Sequence, residues 1–315
     1  MMSDEFSKLD TDLAECVPND WYAALEAIGD DLGYCQRLGS EHSAIFIDGG
    51  PRLLVTFESR DSIRKRPRAL PRGFDLVRAH GWSLLCLISD GDTWFRDPAV
   101  YGYIDRLLDD GFFEDFDQVL CFGSGAAGYA AAAFSVAAPG AQVLTIRPQA
   151  TLDPAVTGWD RRYLRERRRD FTSRYGYGPA MIEAAGRAFL LLDPTYAPDA
   201  MHAALYGRSN VTALRCPQTG LRIEDMLDAM DLTMPLIEQA MAGTLTSASF
   251  ALLWRARRDN PIYLRSLLKK AEAAGRIGHM IRICQHGQQT RNPGFFARRL
   301  QELGAQPAKP MQAAQ

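Results

Sequence analysis

Nothing in this chain pairs its cysteines. Cys16, Cys35, Cys86, Cys121, Cys216 and Cys284 are scattered without a single C-x-x-C, so a dithiol redox centre or a zinc ribbon has no motif to stand on. Cys86, Cys121 and Cys216 fall inside apolar runs, where cysteine behaves as a small hydrophobe. Histidine is scarce as well. The five residues His42, His80, His202, His279 and His286 form no H-x-x-x-H or H-x-H set, and neither a metal nor a cofactor is expected. The chain also lacks an excess of one charge. Its formal charge is −2 over 315 residues, which offers no global field for nucleic acid or anionic lipid. No apolar run approaches the ~18 residues a membrane span needs. Met1 to Asp12 is polar and acidic rather than a secretory leader. A cytoplasmic protein is expected, with no membrane or nucleic-acid partner.

What the chain does have is apolar content. At 47% hydrophobic residues it can bury a large core. Short apolar runs recur at Ser43–Asp48, Arg52–Phe57, Ser83–Ser89, Gln118–Phe122, Gln142–Arg147, Ala188–Asp193 and Val211–Cys216. They are apolar throughout rather than alternating, as central strands covered on both faces are. From Ser83 onward the intervening segments carry helical patterns, such as Tyr101–Asp110 before Gly111 and Gly128–Ala138 before Pro139-Gly140. Strands alternating with helices predict an α/β fold with a mainly parallel sheet of about seven strands. The first two runs, joined by Gly49-Gly50-Pro51, read as a hairpin. Residues 1–40 read as an N-terminal helical segment, 41–221 as the α/β domain, and 222–304 as an all-helical region. Asn260-Pro261 and Asn292-Pro293 both open helices there, a hint of a helical-hairpin repeat. The tail 305–315 is small and polar, and is expected to fray.

One stretch carries more chemistry than the rest. Leu120 to Ala131 reads as a buried strand, a glycine-rich turn and a helix opening on small residues. Such a turn places one side chain beside the free N–H groups of a helix N-terminus. Together with the strand series and Ile146–Pro154, it resembles the α/β-hydrolase superfamily over about residues 40–220. That family's nucleophile elbow has the form G-x-S-x-G-G-Y-A-A. Aligned by its Gly-Tyr-Ala-Ala end, it matches Gly123, Ala127, Gly128, Tyr129, Ala130 and Ala131. The nucleophile position then falls on Gly125, with Ser124 one residue early. The resemblance takes its acid from Asp193 or Asp199 after the Ala188 run. It asks for a histidine after the last strand, where Cys216–Arg222 has none. Without a base a serine hydroxyl is not activated near neutral pH.

Two function classes follow. In the first, the chain keeps the hydrolase-type sheet with a degraded triad and binds an anionic or acyl/sugar small ligand, or a protein partner, at the former active-site edge. Its ligand residues would be Gly123, Gly125, Trp94, Arg96 and Trp159. Trp94 and Arg96 sit in the loop Ser89–Pro98, and Trp159 lies in a basic, lid-like insertion at 153–187. In the second, Ser124 is a shifted nucleophile served by His202 and by Asp193 or Asp199. A weaker resemblance is to phosphoadenosine phosphosulfate reductases. Their S-G-G-x-D-[ST] loop would fall on Ser89-Asp90-Gly91-Asp92-Thr93 and their cysteine on Cys284, but neither has the flanking residues. The run Arg161–Arg169 reads as a solvated helix face or as an arm for an acidic group.

Overall fold

The computed structural model describes residues 6–290 and 293–304. Its centre is an eight-stranded sheet in the order β1-β2-β4-β3-β5-β6-β7-β8. The strands are β1 (Gly33–Leu38), β2 (His42–Ile47), β3 (Arg52–Ser59), β4 (Ser83–Ser89), β5 (Gln118–Ser124), β6 (Gln142–Ile146), β7 (Arg187–Leu192) and β8 (Val211–Arg215). β2 pairs antiparallel with both β1 and β4, and every other pairing is parallel. β2 alone therefore runs against the rest. The seven apolar runs are all strands, and β4 is buried at every position, as a strand covered on both faces must be.

Two expectations about the start of the chain are corrected. Segment 1–40 is not helical throughout. It contains helix α1 (Pro18–Leu32) and then the edge strand β1. β1 is polar and mostly part-exposed, so it lacks the apolar run that marks its neighbours. The β2–β3 hairpin is also absent. The two strands run in opposite directions as expected, but β4 lies between them. The Gly49-Gly50-Pro51 link instead crosses the start of β4. There the Ser83 hydroxyl accepts the N–H groups of Gly49 and Gly50 at 3.0 and 3.1 Å.

Helices cover both faces. α2 (Arg60–Arg64), α3 (Gly73–His80), α4 (Pro98–Asp109), α5 (Ala126–Phe134), α6 (Pro154–Thr157), α7 (Gly178–Met181) and α8 (Ala197–Leu205) fall between strands. α4 starts where Asp97 caps it, its carboxylate accepting from Ala99 N–H at 2.7 Å. α5 and α4 bury Tyr129, Ala130 to Ala133, Val100 and Ile104 against one face of the sheet. The other face receives α1 and α3 together with α9 (Ile223–Asp228), α10 (Thr233–Met241) and α11 (Ser247–Leu253). The first half of the helical C-terminal region is thus part of the sheet's own core. α12 (Pro261–Ala273), α13 (Ile277–Gly287) and α14 (Pro293–Glu302) instead close a small separate cluster around Leu264, Leu268, Cys284 and Phe296. Asn260 caps α12 through Ile262 and Tyr263 N–H. Its repeat counterpart Asn292, like the tail 305–315, lies outside the described residues.

The insertion 153–187 is not a long helix. Beyond α6 and α7 it holds only two 3-10 turns, Glu166–Arg168 and Ile182–Ala184. Nor is Arg161–Arg169 a uniform solvated face. Arg161, Arg165 and Arg168 are exposed, whereas Arg162, Arg167 and Arg169 are spent inside the protein on Asp160 and Asp199, on backbone carbonyls, and on Glu41.

Candidate active-site edge

The elbow is present and its apex is a glycine. β5 ends at Ser124, Gly125 turns the chain with φ +59° and ψ −122°, and α5 opens at Ala126. The Gly125 N–H donates to Ile146 C=O of the adjacent strand at 2.8 Å. Two glycines make the turn possible for different reasons. A Cβ at Gly123 would overlap the Ala127 carbonyl, so strand and helix can meet only there. A Cβ at Gly125 would meet nothing within 4 Å. The apex therefore points an empty Cα into open space, while Ser124, beside it, keeps a buried hydroxyl with no hydrogen-bond partner.

The remaining candidates are each held elsewhere. Asp193 follows β7 and is fully buried. Its carboxylate accepts from Gly220 N–H at 2.7 Å, Thr195 N–H at 2.8 Å and the Thr195 hydroxyl at 2.7 Å. Burial raises its pKa, but those donors outweigh the penalty and hold it below the usual carboxylate range. Asp199, at the start of α8, pairs with Arg162 at 2.6 Å. His202, on the same helix, is fully buried beneath the Trp159 ring. Its Nδ1 accepts from Ala150 N–H at 3.1 Å and its Nε2 meets Asp160 Oδ2 at 2.9 Å. That pattern fixes a neutral ring protonated on Nε2, with no lone pair left for a serine. His202, Asp160, Arg162 and Asp199 form a buried network that pins the insertion to α8.

A cleft of about 220 Å³ does open at the elbow. Its walls come from the ends of β3, β4 and β5, and Glu58, Ser59, Ser89, Trp94 and Ser124 are among its lining. No histidine is among them. Arg66 and Arg72 reach it already paired, Arg66 with Glu58 and Arg72 with Glu224 and Asp228. Trp94 forms wall rather than platform. It is 2% exposed and packs against Tyr163, Tyr129 and Phe171. Arg96 spends its guanidinium on Asp170 C=O, Arg174 C=O and Ser173, so it does not face a ligand. Trp159 lies over His202, away from the cleft. The sequence singled out neither the Glu58 and Ser59 side chains, which end β3, nor Ser62 in α2, whereas Ser89, which ends β4, opens the loop already read as a ligand edge. Sequence reading had also missed His42, which bonds Thr93 Oγ1 at 2.7 Å and lies 3.8 Å from Asp97. Thr93 is fully buried and also accepts from Phe95 N–H. The series thereby braces two left-handed residues, Trp94 (φ +57°) and Phe95 (φ +55°).

No protein-family model matches the chain, and no curated protein does. Among solved structures it is similar to a capsule O-acetyltransferase of Neisseria meningitidis serogroup A, with 11% identity over 56% of this chain and 83% of that one, and a TM-score of 0.38. It is similar to a carboxyl esterase from the fungus Tuber melanosporum at 14% identity, covering 70% and 83% of the chains, with a TM-score of 0.40. It is also similar to the esterase domain of a Rhodothermus marinus protein, at 18% identity over 68% and 92%, with a TM-score of 0.38. Strand order, the single reversed strand and the strand–glycine–helix turn stand without these likenesses. The fold is of the α/β-hydrolase type. Gly125, where the resemblance expects a nucleophile, is the apex of the turn, and of the two acids it offers, Asp193 lies in the loop after β7 and Asp199 in α8. The loop after β8 brings the backbone N–H of Gly220 to Asp193. As for reductase chemistry, Cys284 is fully buried in the α12–α14 cluster, where burial pushes its thiol pKa up, away from a reactive thiolate.

Two buried histidines set an acid limit on stability. Burial pushes both His42 and His202 below the ordinary imidazole range, outweighing Asp97 and Asp160 respectively. The unfolded chain, with histidine near about pH 6.5, binds those protons first. Their contribution is complete above that pH and lost as pH falls through the lowered values. Burial raises the Asp160 pKa, but Arg162 and His202 overcome it and hold the group at about 2, so its share survives to much lower pH. Melting temperature should be flat from pH 8 to 7 and fall below pH 6.5. His42→Asn should flatten that fall, and an unchanged profile would refute the assignment.

Proposed function

We propose that this is a hydrolase-fold protein without a working triad, which binds a small ligand at the elbow cleft. The observation that carries the reading is Gly125 at the nucleophile slot, with the acid Asp193 already satisfied by Gly220 N–H at 2.7 Å. Transition-state chemistry at an acyl carbon needs a nucleophile and a base within hydrogen-bond reach. The cleft is lined by serines, of which Ser124 keeps its hydroxyl buried, and by no imidazole. What it does offer is a mixed set of donors and acceptors, Ser59, Ser62, Ser89, Glu58 and Glu224, beside the aromatic edges of Phe57 and Trp94. Its arginines arrive neutralised by carboxylates. Within the range of anionic and acyl/sugar ligands, that lining favours a polyhydroxylated or acylated sugar over a simple anion.

A fluorophosphonate probe is the direct test. No adduct on the folded protein is expected. Ser124→Ala is expected to be neutral or to stabilise by about 1 kcal/mol, because it removes a buried hydroxyl that bonds nothing. Thermal shifts with acetylated and free sugars should then find a ligand whose effect is lost in Ser59→Tyr, which fills the cleft. An adduct on Ser124 that disappears in Ser124→Ala would overturn the reading in favour of an active serine esterase or acyltransferase.

A further inference from the structure

A second cavity lies far from the elbow's chemistry, where the edge strand β8 meets α11 and the 3-10 turn Trp254–Asp259. It has a volume of about 430 Å³. Arg215, Arg255, Arg257, Arg258 and Ser247 are its polar residues, Trp254 lies at its wall, and no carboxylate lines it. The nearest acid in sequence, Asp259, faces His286 instead, at 3.2 Å.

Two buried donors here are unspent. Trp254 is 3% exposed, and its Nε1–H has no hydrogen-bond partner. Buried tryptophans usually find a partner for that group, and leaving it bare is unfavourable. Arg257 repeats the pattern. One Nη donates to Trp254 C=O at 2.6 Å, while its buried Nε–H has no partner. Among the described residues none of the four arginines is paired with a carboxylate. The surrounding segment explains why no acid is at hand. Residues 255–304 hold eleven Lys and Arg against three Asp and Glu, in a chain whose overall charge is −2.

We propose that this cavity binds an oxyanion carried on a flat apolar body, a phosphate monoester or a carboxylate. A lining with four arginines and no carboxylate, where the Ser247 hydroxyl is the one side chain that can also accept, favours a group rich in acceptors. The apolar wall of Leu214, Ala251 and Phe250 selects the body, with Phe250 stacked on Trp254 at 5.8 Å and 14°. The volume exceeds what a bare phosphate needs. A nucleic-acid backbone would use the exposed cations, but it has no use for a recessed indole N–H. This inference is independent of the ligand at the elbow.

The test follows the five indole N–H signals by NMR while phenyl phosphate, phenylacetate, inorganic phosphate and benzyl alcohol are titrated separately. The Trp254 signal, assigned by its loss in Trp254→Phe, should shift with phenyl phosphate or phenylacetate, and whichever binds tighter names the oxyanion. Inorganic phosphate should bind at least about tenfold more weakly, and benzyl alcohol should not bind. Trp254→Phe keeps the ring and should weaken binding, followed by calorimetry, about tenfold. Arg255→Glu/Arg258→Glu reverses two exposed charges and should abolish binding with the melting temperature unchanged. No shift at millimolar phenyl phosphate or phenylacetate overturns the proposal, as does binding that survives the charge reversal. Binding of an oligonucleotide without either small anion overturns it in favour of a polymer surface.

Discussion

Gly123→Ala is expected to destabilise the protein by about 3 kcal/mol, near the upper end of overpacking costs. The added methyl would overlap the Ala127 carbonyl, and the helix nitrogen of Gly128 lies only 2.9 Å from the same point. Both are backbone atoms of α5, so no rotamer change can relieve the overlap. The helix would have to move off β5, and Tyr129 and Ala130 to Ala133, all buried, would move with it. Gly125→Ala is the control two residues on. Its methyl meets open space, and only the backbone conformation, φ +59° and ψ −122°, penalises it. That strain is worth about 1–2 kcal/mol. Urea denaturation should rank Gly123→Ala well below Gly125→Ala. Equal midpoints, or the reverse order, would mean that strand and helix are not in contact at Gly123.

The two glycines also mark how much of the site was legible beforehand. The alignment that placed Gly125 in the nucleophile slot rests on small residues recurring where backbones crowd, and the apex conformation sits at that same residue. The central strands were legible for a related reason, since burial on both faces writes itself as uninterrupted Leu, Val and Ile. β1 was hidden because an edge strand buries little. The false hairpin arose because sequence proximity and opposite direction suited a hairpin. Only a third strand inserted between β2 and β3 excludes it, and no local pattern announces that insertion.

Side-chain partnerships across long separations were the least accessible. His202 meets Asp160 from 42 positions away, and nothing about either neighbourhood in sequence joins them. Arg96 looked like a ligand-reading cation because it follows two aromatics in a loop at a strand's C-terminal end. Its three acceptors lie 74 to 78 residues further on, in the insertion. The basic excess over 255–304 was within reach of sequence reading. The chain's near-neutral total concealed it, because the preceding residues carry the compensating acids.

Asp193→Ala is expected to cost about 3 kcal/mol of stability, and this variant separates the two readings of the elbow most sharply. In a working triad the acid orients an imidazole, and its loss appears mainly in turnover. Here the carboxylate gathers three donors, Gly220 N–H, Thr195 N–H and the Thr195 hydroxyl. It thereby ties the loop after β7 to the loop after β8. Hydrogen bonds to a charged group contribute about 1.5–3 kcal/mol each, and removing the acceptor would leave the Gly220 and Thr195 donors bare in a buried site. The loop around Gln218 (φ +71°) and Gly220 (φ +59°) should loosen. Cys216, beneath it and fully buried, should become reactive to thiol reagents. Because the Asp193 pKa is lowered in the folded state, its contribution is present at neutral pH and is lost as pH falls through that lowered value. The difference between wild type and Asp193→Ala in urea should therefore shrink towards acid. A variant as stable as the parent, with Cys216 still protected, would free Asp193 from this structural role and reopen its candidacy as a catalytic acid.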